Sequence, residues 1–126
     1  LQRPSAFDAE LDDEPPRRYT LQLDEAALLR FAGPGRRLIV SWTTGGPKRY
    51  SIARNLALSI RKNCGPALER MFVFVALDKD AFERSRADGF QVVLNEVSTD
   101  MKDDIWKMRW LIQTTFLSLG LEVLVV

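Results

Sequence analysis

The feature that most constrains this chain is the run Met71-Phe72-Val73-Phe74-Val75-Ala76-Leu77, apolar throughout and closed by Asp78. A strand with one face in water alternates apolar and polar side chains. A strand without alternation has to be covered on both faces, which is the setting of a strand inside a parallel sheet. The rest of the sequence supplies partners for it. Residues 37–42 (RLIVSW), 90–94 (FQVVL) and 121–126 (LEVLVV) are three more short runs of strand character. Between them lie stretches with helical spacing. Residues 48–63 carry Ile52, Ala53, Leu56, Ala57 and Ile60 at helical intervals, with Arg54, Arg61 and Lys62 available to water, and Gly65-Pro66 stops them. Residues 79–87 form a shorter helix that ends at Asp88-Gly89, and a terminal helix follows with Gly120 just beyond its end. The order β-α-β-α-β-α-β predicts an α/β fold, a Rossmann-like, mostly parallel sheet with helices on both faces.

Residues 1–35 have a different grammar. Pro4, Pro15 and Pro16 and the acidic group Asp12-Asp13-Glu14 suit a flexible extension or stem, ahead of a domain at 36–126. A short helix fits inside this region at residues 24–31, with Asp24 as its N-cap and Gly33-Pro34-Gly35 as its stop. The chain, 126 residues long, suits one small domain. Histidine is absent and Cys64 is single, which removes internal disulfides, His-assisted nucleophiles and His-ligated metals from this segment. A net charge of +1 gives no bulk reason to bind nucleic acid or an anionic membrane. No apolar run reaches the roughly 18–20 residues that span a bilayer, so no membrane contact is expected from this segment. A leader or anchor ahead of Leu1 stays open.

Three places could carry chemistry. The loop Thr43-Thr44-Gly45-Gly46-Pro47-Lys48 follows the first strand, and a helix N-terminus there would favour an anion. The loop matches neither the dinucleotide nor the P-loop fingerprint, and a tight turn with Pro47 opening the helix explains it as well. Asp78 ends its strand on the side where ligands of such sheets bind; it suits a ribose or base contact, or a cap on the next helix through Asp80 or Ala81. Lys107 and Arg109 sit in the first turns of the terminal helix, where the macrodipole disfavours cations. Either Asp103 pairs with Lys107 in water, or the helix N-terminus, Lys107 and Arg109 together meet a diphosphate. Trp106 and Trp110, with the stripe Ile105, Met108, Ile112, Phe116 and Leu119, suggest a helix buried between two layers. Cys64 reads as a spectator.

The run LIVSWTT, the amphipathic helix, MFVFVALDKDAFE, GFQVVLNE and IWKMRWLIQTTFLSLGLEVLVV together resemble the nucleotide-diphospho-sugar transferase family. This group of GT-A-type glycosyltransferases includes plant and algal arabinosyl- and xylosyltransferases. The most specific blocks are VALD at Val75–Asp78 and Lys107 followed by Leu119-Gly120-Leu121-Glu122-Val123-Leu124. The resemblance implies that residues 36–126 are the nucleotide-binding half of a GT-A-like domain, with the fourth strand beside the first. It implies Thr43 and Thr44 beside the uracil and ribose of a nucleotide-sugar donor, Asp78 near the nucleoside and Lys107 near the diphosphate. The family's D-x-D aspartates, which hold Mn²⁺ or Mg²⁺, are expected just after Val126, so no catalytic residue and no metal ligand is expected within the segment. The full-length protein would transfer a sugar to a hydroxyl of a glycan or glycoprotein acceptor in the Golgi lumen, as a type II membrane protein. The alternative is a self-contained doubly wound module that binds or regulates without catalysis.

Overall fold

The computed structural model describes residues 23–96 and 105–126. The elements in chain order are α1 (Glu25–Ala32), β1 (Arg37–Thr43), α2 (Pro47–Asn63), α3 (Gly65–Glu69), β2 (Phe72–Ala76), α4 (Lys79–Ala87), β3 (Val92–Leu94), α5 (Ile105–Ser118) and β4 (Glu122–Val125). The strands form one parallel sheet in the order β3-β2-β1-β4. The α/β architecture expected from the apolar strands is present, and the fourth strand pairs with the first, Ile39 lying opposite Leu124.

Strand parity divides the core in two. On one face Leu38 and Val40 of β1, Val73 and Val75 of β2, Val93 and Val125 meet Ala27 and Leu28 of α1 and Met108, Ile112 and Phe116 of α5. On the other face Phe72, Phe74 and Ala76 of β2 and Val92 of β3 meet Ala53, Ala57 and Ile60 of α2 and Ala81 of α4. Alanines on the helices let them approach a sheet face crowded by phenylalanines, where the Phe72 and Phe74 rings meet edge to face at 4.9 Å. All of β2 is buried, as a strand without alternation requires. Each fully buried Val, Leu, Ile or Phe contributes about 1.5–3 kcal/mol.

Four details depart from expectation. The boundary expected at residue 35 falls behind a helix that the core includes: Leu28 is fully buried, Ala27 and Ala32 nearly so, and Asp24 caps α1 by accepting from the Ala27 N–H at 3.1 Å. Gly65-Pro66 stops α2 and at once opens α3, because a proline is accommodated in the first turn of a helix. In α2 Tyr50 joins the buried stripe, whereas Ile52 is exposed. Trp110 is 70% exposed and Leu117 60%, so α5 lies on one sheet face instead of between two layers. Its buried stripe Met108-Ile112-Phe116 repeats every four residues, and at 3.6 residues per turn Trp110 points roughly 200° away from Ile112. The side chain of Trp106 and the expected Asp103–Lys107 pair lie outside the described residues, as does the expected extension over residues 1–22. Among the described residues no helix is long and apolar enough to cross a membrane.

Candidate ligand site at the switch point of the sheet

β1 has β2 on one side and β4 on the other. The helix that leaves β1 packs on one sheet face, and the helix that leads into β4 packs on the opposite face. Connections diverge at that boundary, and the crevice outside the carboxyl ends of β1 and β4 is where such sheets bind ligands.

The loop after β1 is held from below. Thr43 is buried, and its Oγ1 donates to the Thr44 carbonyl at 3.0 Å. The Thr43 carbonyl accepts from the Leu77 N–H at 2.9 Å, which ties the end of β1 to the end of β2. The Gly45 N–H lies between both carboxylate oxygens of Asp78, at 3.0 and 2.9 Å. Asp78 Oδ1 also accepts from the Ala81 N–H at 2.7 Å and so caps α4. Of the two roles the sequence leaves open for Asp78, the cap is present. A carboxylate offers about four lone-pair sites, and three backbone contacts already converge on this one. Gly45 is tightly enclosed: a Cβ there would stand 2.6 Å from the Cβ of Asp80, whereas Gly46 has nothing within 4 Å.

Above this junction α2 begins without a side-chain cap. Gly46 is its N-cap, Pro47 opens it, and no acidic residue lies in its first turn. Instead Lys48 and Arg49 stand there, both exposed. Each cation in that position is disfavoured by a few tenths to about 1 kcal/mol, a cost that an anion bound at the loop would offset. Across the crevice, Arg109 Nη2 donates to the Val125 carbonyl at 3.3 Å, which places the first turns of α5 at the carboxyl end of β4. Lys107 is exposed in those turns. Thr43, Thr44 and Asp78 are thus joined through Gly45, while Lys107 is carried by a different element on the far side of the β1–β4 boundary.

The sequence points to the loop glycines as a place where a ligand could approach the backbone, but not to the enclosure of Gly45 or to the cations Lys48 and Arg49. The glycine pair was visible, but which glycine packs against α4 depends on how β2 and α4 approach the loop. The absence of an acid from the first turn of α2 was the signal available for the two cations.

A second polar cluster joins α2 to α4. The Tyr50 hydroxyl donates to Asp88 Oδ2 at 2.6 Å, and Arg54 Nε reaches the same oxygen at 3.2 Å. Burial, reinforced by the bond to Asp88 and its negative charge, pushes the Tyr50 hydroxyl up to about 12, against the opposing charge of Arg54. This cluster locks two helices side by side. Among the described residues no group of three His, Cys, Asp or Glu side chains could hold a metal ion, and Asp78 is already committed to backbone N–H groups. Set against protein-family models, curated proteins and solved structures, the chain matches none of them.

Proposed function

We propose that this chain is the nucleotide-binding part of a glycosyltransferase that uses a nucleotide-diphosphate sugar. The observation that carries the reading is the switch-point loop. Gly45 is held by Asp78, and the N-terminus of α2 above it is uncapped and bears Lys48 and Arg49. The resemblance of residues 37–126 to nucleotide-diphospho-sugar transferases adds the identity of the ligand. On this reading Thr44, half-buried on the loop, lies beside uracil and ribose. Thr43 and Asp78 shape that loop from beneath it. Lys107 and the α2 N-terminus neutralise the diphosphate, which is the leaving group of sugar transfer. The hydroxyl acceptor, a glycan or glycoprotein, and the Golgi setting rest on the same resemblance. On the same resemblance, the divalent metal of the full-length protein would neutralise this diphosphate.

The second reading, a doubly wound binding or regulatory module without catalysis, is favoured by the commitment of Asp78 to capping. Calorimetric titration of the full chain with UDP, uridine, ADP and inorganic phosphate separates the two. The glycosyltransferase reading expects UDP to bind at least tenfold, about 1.4 kcal/mol, more tightly than uridine. It also expects Lys107→Ala to weaken UDP and leave uridine unchanged. Equal affinity for UDP, ADP and phosphate would favour the module, and no heat with millimolar UDP would end the first reading.

A further inference from the structure

We infer that the open edge of β3 is a docking groove for an extended acidic peptide segment of a partner protein, which adds to the sheet as a fifth strand. Among the described residues β3 is an edge strand of the sheet. Its pairing with β2 decides which backbone groups remain. The Phe74 N–H donates to the Gln91 carbonyl at 2.9 Å, and the Asn95 N–H donates to the Ala76 carbonyl at 2.8 Å. With Val75 opposite Val93 in register, residues 91, 93 and 95 turn their backbone groups inward to β2. The N–H and C=O of Val92 and Leu94 therefore point to the open edge, because successive residues of a strand alternate.

That edge forms the floor of a groove of about 620 Å³. One wall is α1 and the other is α4, on opposite sheet faces. The walls carry the same pair of side chains. On α1 the Arg30 guanidinium lies over the Phe31 ring, 5.4 Å from its centroid. On α4 Arg86 lies over Phe82 at 5.5 Å. Both phenylalanines are half-buried and both arginines exposed. Among the described residues the one acid on the rim is Asp24, whose carboxylate already accepts from the Ala27 N–H. An edge strand that must stay unpaired is usually blunted by charge, proline or a cover. Here outward backbone groups, an aromatic ring on each side and a cation above each ring stand together. Main-chain bonds supply affinity in strand addition and flanking side chains supply selectivity. The two arginines select carboxylates in bidentate geometry, so an acidic extended segment is the complementary occupant.

The test uses the full chain and a fluorescent eight-residue peptide of alternating Glu and Val, read by anisotropy, against its Lys–Val counterpart. The Glu peptide is expected to bind at least about tenfold more tightly than the Lys peptide. The double substitution Arg30→Glu with Arg86→Glu reverses that preference. Val92→Pro removes one outward N–H and leaves the ladder to β2 in place, since proline is tolerated on the free side of an edge strand; it is expected to weaken both pairings about tenfold. Circular dichroism confirms that each variant stays folded. Undiminished binding by a folded Val92→Pro variant would show that charge alone attracts the peptide, and would overturn strand addition. No binding of the Glu peptide, or self-association of the chain that responds to the same substitutions, would overturn the acidic partner.

Discussion

At Gly45 a methyl group would stand 2.6 Å from the Cβ of Asp80, an atom close to the backbone of α4 that cannot swing aside. The loop would have to lift, which would stretch the two bonds from the Gly45 N–H to Asp78. Gly45→Ala is therefore expected to lose about 1–3 kcal/mol, seen as a lower urea midpoint, whereas Gly46→Ala, with open space around it, should stay within about 0.5 kcal/mol. Equal effects at the two glycines would refute the close approach. Tyr50 gives a pH test. Its hydroxyl has a folded-state value of about 12, above the ordinary 10.0. The folded state thus holds this proton more tightly than the unfolded chain does. The stabilisation is complete below pH 10 and is lost as pH rises through about 12. Tyr50→Phe removes the bond to Asp88 and should cost about 1 kcal/mol at pH 8. The gap between wild type and variant should close between pH 10 and 12; a constant gap would show that this hydroxyl does not titrate with folding. Residue identity made Asp24 and Asp78 legible as caps, since each stands just ahead of a helical stretch. It could not reveal that Asp78 also grips Gly45, 33 positions earlier, because that contact depends on β1 and β2 being neighbours.

Helix α5 shows how far an element can be read from its pattern. The stripe Met108, Ile112 and Phe116 was evident from the spacing and is buried. The aromatic content misleads. The tryptophans Trp106 and Trp110 beside that stripe suggest burial on two sides, yet Trp110 is exposed, as is Leu117 on the same side of the helix. Nothing in the spacing says whether a second layer exists to receive them. The structure makes the two sides unequal in a measurable way: Ile112→Ala should cost about 2–5 kcal/mol and Trp110→Ser less than about 0.5 kcal/mol in chemical denaturation. A large loss at Trp110 would show that the indole is covered in solution. Helix α1 departs in the opposite direction. The helix and its Asp24 cap are legible in the sequence, but its proline-rich, acidic surroundings hide that Leu28 is fully buried, because average composition dilutes a few core residues.

At the scale of the molecule, among the described residues, the sheet ends in β3 on one side and β4 on the other. The two edges differ. β3 is walled by α1 and α4, whereas β4 has Val125 buried against one layer and Leu124 60% exposed on the opposite face. An apolar edge strand with an uncovered face is a site of association. Light scattering at rising concentration is expected to show self-association of the wild-type chain, reduced by Leu124→Lys with no fall in the urea midpoint. A monomeric wild type at high concentration would contradict this. The candidate ligand site belongs to the same scale. Thr43, Thr44, Asp78 and Lys107 are spread over more than sixty positions of sequence, and the elements that carry them flank one boundary only because β4 lies on the opposite side of β1 from β2.

Unbroken apolar strands alternating with amphipathic helices determined, from the sequence by itself, that this chain is a parallel α/β sheet covered on both faces. The physical reason is local: side-chain period and the cost of wetting apolar residues act within each segment. Tertiary structure alone decided that Gly45 is enclosed by Asp78 and Asp80, that Trp110 faces water, and that β3 lies between two arginine-bearing walls. Those outcomes depend on which segments become neighbours, and no residue pattern within one segment carries that information.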